Sequence, residues 1–163
     1  MDLVRSALVG YSAASMFDLI EAAEHYPRFL PWCADATIVA RDESVVVANI
    51  TIDYHGVRFG FTTRNPKRRP EWMAITLERG PFRRFEGDWR LTPLGTSACK
   101  IEFALRYEFD GALARTLAVP VFNRIANTLV DAFVARADVV LGAPAAGGRP
   151  DDVPDDGSQA DER

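Results

Sequence analysis

The sequence predicts an α+β fold in which a curved antiparallel sheet wraps around one long C-terminal helix. Residues 112–141 carry the helix signal: from Pro120 onward Phe122, Ala126, Leu129, Phe133, Ala137 and Val140 recur every three or four positions, with Arg124, Asn127, Asp131 and Asp138 opposite. Upstream, six segments between residues 36 and 109 alternate apolar and polar side chains, the signature of half-buried strands. With 163 residues, the chain is long enough to close one core of ordinary size between the two layers.

Taken in order, residues 3–9 read as a first strand. Ser12 stands at an N-cap position before Met16, Phe17, Leu19, Ile20 and Ala23, which are spaced for a short helix ending before Pro27. In residues 26–32 two prolines exclude a regular helix, and four bulky apolar side chains crowd the connection, so it is expected to be buried or to cover something apolar. Strands follow at 36–41, 45–54 and 57–65. Val46, Ala48, Ile50 and Ile52 share one face of the second of these, and Val57, Phe59, Phe61 and Thr63 oppose Arg58, Gly60, Thr62 and Arg64 in the third. A basic loop at 66–70 separates them from strands at 72–79, 85–92 and 98–109, the last with Cys99, Ile101, Phe103, Leu105, Tyr107 and Phe109 facing one way. Before Pro120, Leu113 and Leu117 fall out of phase with the helical stripe, so a kink or break is expected at the proline.

The formal charge of −4 is concentrated at the C-terminus. Residues 143–163 hold six acidic side chains and two arginines, leaving 17 charges of each sign in residues 1–142. Rich in Gly, Pro and Asp, residues 143–163 read as a disordered acidic tail appended to the domain at 1–142. Neither a membrane-spanning run nor a signal-peptide layout is visible, so a cytoplasmic location is the expectation. Cys33 and Cys99 lack metal or redox spacing and read as reduced, buried thiols.

A catalytic constellation does not emerge. His25 and His55 both adjoin turns and belong to no metal or nucleophile motif, so no catalytic residue, metal or cofactor is expected. Two features stay open to a functional reading. The bulky set Tyr26, Phe29, Leu30, Trp32, Phe59, Phe61, Trp89, Phe103, Tyr107, Phe122, Leu129 and Phe133 is either a plain core or the wall of an apolar ligand cavity. The cluster Arg64, Lys67, Arg68 and Arg69 is either a solvated loop or a contact for phosphates of RNA or of an anionic membrane surface.

Five blocks then carry a resemblance: RSALV at 5–9, YPRFLPWC at 26–33, FTTRN at 61–65, GPFRRFEGDW at 80–89 and IANTLVDAFVARA at 125–137. In that order they resemble the coenzyme Q-binding proteins and the bacterial ribosome-association toxins related to them, over residues 3–142. The resemblance implies a START-like, helix-grip fold, also seen in polyketide cyclases, which makes residues 1–142 a START-like lipid-binding domain. It further implies non-enzymatic binding of a polyprenyl lipid such as ubiquinone, in support of respiratory electron transfer. The alternative it implies is association with the large (50S) ribosomal subunit that blocks 70S formation. Lipid, ribosome and a peripheral contact with the inner membrane are thus the expected partners, and DNA is not. A cyclase or dehydrase activity would rest on fold alone.

Overall fold

Ser12 opens the first helix as its position foretold: the side-chain oxygen accepts the backbone N–H of Ser15 at 3.1 Å, satisfying one of the free donors of the first turn. The computed structural model describes residues 2–111 and 118–142. In chain order they form β1 (Asp2–Val9), α1 (Ala13–Glu21), a 3₁₀ helix (Ala23–Arg28), β2 (Cys33–Arg41), β3 (Val45–Tyr54), β4 (Val57–Arg68), β5 (Trp72–Arg79), β6 (Phe82–Pro93), β7 (Cys99–Phe109) and α2 (Ala118–Ala137). α2 ends in a π turn at Asp138–Gly142. Leu113 and Leu117, and the tail 143–163, lie outside the described residues.

The strands make a single antiparallel sheet in the order β1-β7-β6-β5-β4-β3-β2, the predicted curved sheet with α2 against its inner face. Alternation decides which side chains point inward. All six apolar residues predicted for β7 are buried, as are Val46, Ala48, Ile50 and Ile52 of β3. The curvature has a local device at Gly87 in β6: a Cβ there would stand 2.3 Å from the Ala104 carbonyl oxygen, so only glycine lets β7 approach so closely. On α2, Phe122, Ala126, Phe133 and Ala137 are buried together with Ile125 and Val130.

Four expectations are corrected. Residues 66–68 are not loop: β4 continues to Arg68, and its ladder to β5 simply skips Asn65 and Pro66, where proline has no donor to give. Thr62 keeps its expected outward face, opposite Asn49 in the ladder with β3, yet it is buried there rather than solvated; its hydroxyl donates to the Asn49 side-chain oxygen at 2.5 Å. Val140, expected on the apolar face of the long helix, is exposed, because the change from α to π geometry at Asp138 shifts the phase of the stripe. The chain around Pro27 is not irregular but a 3₁₀ helix over Ala23–Arg28, short enough to hold that one proline.

Two smaller points complete the frame. β2 begins at Cys33 and is irregular against β3 twice, between Cys33 and Asp35 and between Ile38 and Ala40. Both cysteines are free and buried, and burial raises the Cys33 thiol to about 11, far from a reactive thiolate.

Candidate functional site

Between the sheet and α2 lies a cavity of about 110 Å³. Eight of the twelve bulky residues singled out in the sequence line it: Tyr26, Trp32, Phe61, Trp89, Phe103, Phe122, Leu129 and Phe133. The other four pack elsewhere. Phe29 sits against Phe133 at 5.4 Å between ring centres and under the Arg136 guanidinium at 5.1 Å, and Leu30 is fully interior. Phe59 belongs to a second cluster with Phe82 and Phe109, which fills the space beside the cavity. Tyr107 stacks edge-on against Phe122 at 4.8 Å, and its hydroxyl donates to the Asn123 side-chain oxygen. Burial holds that phenol at about 12, so it stays a donor at any physiological pH.

The wall is aliphatic and aromatic apart from Thr63 and Asn65, two residues apart on the inner face of β4. Sequence reading stopped the strand at Asn65 and so missed this pair as a polar end. The signal was present in the alternation Phe61, Thr63, Asn65, Lys67, which continues through Pro66. Asn65 Nδ2 reaches the Met73 sulfur at 3.9 Å, while its Oδ1 is buried without a hydrogen-bond partner among the described residues.

The 3₁₀ helix frames the cavity beside α2. Tyr26 packs edge-on against Phe133 at 5.4 Å and donates its hydroxyl to the Ile20 carbonyl, which fixes the ring at the cavity wall. Its phenol is pushed well above the ordinary range, chiefly by burial.

The four cations of the basic cluster part company. Lys67 shares the inward face of β4 with Thr63 and Asn65, and its ammonium meets Glu21 of α1 at 2.8 Å with only 9% of the side chain exposed. Arg69 is exposed and forms a two-pronged pair with Asp18 at 2.6 and 2.8 Å. Arg64 stands 3.9 Å from Glu78, and Arg68 is exposed with no ion pair among the described residues. α1 therefore places its acids opposite the end of the β4–β5 hairpin, where Arg41 of β2 joins them, bonding Glu21 at 2.9 Å and Glu24 at 2.7 Å. That proximity of α1 to residues 67–69 is invisible in sequence order.

The pair with Arg41 makes a pH prediction. Arg41's hydrogen bonds hold the Glu24 carboxyl at about 2, below its ordinary 4.5. The unfolded chain therefore takes up this proton before the folded one does. The contribution is fully present above pH 4.5 and lost as pH falls toward about 2. Glu24→Gln is expected to flatten the acid limb of stability in that window, by roughly 1 kcal/mol or less because the side chain is a third exposed. Urea unfolding at stepped pH checks it; an unchanged acid limb would remove the pair from the stability account.

Among the described residues no group of three or more His, Cys, Asp or Glu is arranged to hold a metal ion, and no helix is long and apolar enough to cross a membrane.

The comparisons agree with this geometry. Residues 9–134 match the family model described as polyketide cyclase / dehydrase and lipid transport. The chain is 38% identical over 138 residues to the ribosome association toxin RatA of Pseudomonas aeruginosa, covering 85% of this chain and 96% of that protein. It is 24% identical to the mitochondrial coenzyme Q-binding protein COQ10 homolog B of Xenopus laevis, covering 84% of this chain and 58% of that protein. Among solved structures, the Zhui aromatase/cyclase from Streptomyces sp. R1128 superposes with a TM-score of 0.75 at 17% identity, over 91% of this chain and 99% of that one, which is a likeness of fold. With its helix-grip architecture and a family match that spans most of its length, the chain belongs to the polyketide cyclase / dehydrase and lipid transport family.

Proposed function

We propose that this protein is a binding protein that associates with the large ribosomal subunit and hinders subunit joining. The observation that carries the reading is the 38% identity across 96% of the length of a protein named ribosome association toxin, a likeness of the whole domain rather than of one motif. The contact surface in this reading is the outward side of the β4–β5 hairpin end, with Arg68 and Arg69 as phosphate ligands and Arg64 beside them. An exposed ion pair holds by about 1 kcal/mol or less, so Arg69 can exchange Asp18 for a phosphate at little cost. Lys67 cannot, being turned inward and paired with Glu21.

The test is sedimentation with 50S particles at several salt concentrations. The double change Arg68→Glu and Arg69→Glu is expected to release the protein and to make the slope of log affinity against log salt shallower by roughly 1.5 to 2, the share of two phosphate contacts. Co-sedimentation identical to the wild type would exclude this hairpin as the interface.

A second reading, binding of a polyprenyl quinone or related lipid, is favoured by the apolar cavity shared by sheet, helix and the 26–32 segment. Its volume of about 110 Å³ sets a limit. A dry apolar cavity of about 150 Å³ accommodates benzene, so this smaller one takes no more than a single ring or a short branched unit and leaves a long tail outside. Organic extraction and mass spectrometry of protein from a quinone-producing host tests it: a near-stoichiometric polyprenyl quinone supports the reading, and a lipid-free extract removes it.

A further inference from the structure

We propose that the cavity selects a small apolar ligand bearing a hydroxyl or N–H donor, received by the Asn65 side-chain oxygen; this rests on the second reading above, that the cavity takes a ligand, and narrows it.

Three observations converge on the inner face of β4. The first is size, since about 110 Å³ suits one ring or a five-carbon unit. The second is polarity. The lining is mostly aliphatic or aromatic, the Tyr26 hydroxyl is already given to the Ile20 carbonyl, and Thr63 and Asn65 set two polar side chains side by side on β4. The third is the unmet valence of Asn65, whose Oδ1 is buried yet has no donor among the described residues. A buried carboxamide oxygen left in this state is destabilising, and in natural proteins such an atom is completed by a partner, whether water, an ion or a ligand.

The orientation of the carboxamide gives the sign of the preference. Its nitrogen lies toward the Met73 sulfur at 3.9 Å, a weak acceptor. Rotating the group by half a turn would set its oxygen against that sulfur, two lone-pair-bearing atoms in apposition, so the nitrogen stays with the sulfur and the oxygen is the atom of this cavity-lining side chain left to accept. An oxygen at that point accepts. A head group offering only acceptors, such as the carbonyls of an oxidised quinone ring, meets lone pair with lone pair there, whereas a phenolic hydroxyl supplies the missing proton.

The experiment titrates full-length protein with phenol, anisole and toluene, reading affinity from NMR shifts of cavity-lining methyl groups. Phenol carries a donor, anisole an acceptor alone, and toluene neither. In the wild type phenol is expected to bind about fivefold tighter than anisole, the ratio that one net hydrogen bond supports. In Asn65→Leu that preference is expected to vanish while toluene still binds. Equal affinity for phenol and anisole in the wild type overturns the proposal, and this comparison stands even if the variant does not fold. Retention of the preference in Asn65→Leu overturns it as well. Failure of all three probes to bind removes the cavity reading itself, so the two failures are distinguishable.

Discussion

Truncating Phe133 to alanine is expected to lower the unfolding free energy by about 3–5 kcal/mol. The ring is 1% exposed and touches three others, Tyr26, Phe29 and Trp89, each at 5.4 Å between ring centres. It thereby ties α2 to the 3₁₀ helix on one side and to β6 on the other. The cost of such a change depends on how far the surroundings close in. Here they cannot close far, because a cavity already adjoins the site and the opposing wall is a hydrogen-bonded sheet. For a domain of this size the loss corresponds to a fall in Tm of about 2–4 °C per kcal/mol. Denaturant unfolding followed by tryptophan fluorescence measures it, with Trp89 a direct reporter. A loss under about 1 kcal/mol would mean that α2 is not anchored through this ring. Phe133→Asp is expected to abolish any retention of an apolar ligand, and undiminished retention in a folded variant would sink the cavity reading.

Breaking the Lys67–Glu21 pair is the second large effect, and it is expected to be asymmetric. Glu21 is shared, bonding Lys67 at 2.8 Å and Arg41 at 2.9 Å, while Lys67 has no other carboxylate within ion-pairing distance among the described residues. Glu21→Gln therefore strands a nearly buried ammonium, a loss of the order of 3–5 kcal/mol for a fully buried pair. Lys67→Met leaves Glu21 with Arg41 and puts an apolar stem of similar length in place of the ammonium, so a clearly smaller loss is expected. Parallel urea titrations of the two variants decide it. Equal losses would show that the pair acts as an isolated unit, and two negligible losses would show that solvent screens it as it would a surface pair.

The contrast between Phe133 and Lys67 shows what was legible in the sequence and why. Phe133 belongs to a run of apolar residues at helical spacing, and periodicity is a one-dimensional property, so the stripe on α2 and the inward sets of β3 and β7 were readable without a structure. Lys67 follows a proline in a run of cations, and composition alone assigned it to a surface loop. Its inward direction depends on β4 continuing through Pro66, and its partner depends on α1 lying across the hairpin end, a contact between residues 46 positions apart. The same continuation hid Asn65. The aromatic residues were recognisable as a set, but not which would leave space among them. Phe59 and Tyr107 face the same interior as Phe61 and Phe103, and only packing separates fillers from lining.

The irregular pairing of β2 has a consequence beyond this domain's own core. β2 is one free margin of a seven-stranded sheet, and Val39 on it is 57% exposed, the combination that invites a second chain to add a strand. An incoming strand needs an evenly spaced row of donors and acceptors. The two register shifts interrupt that row near each end of β2, and Arg41 closes it with a charge bonded back to α1. This margin of the sheet is thus blunted by its own geometry, and edge-to-edge pairing there is disfavoured.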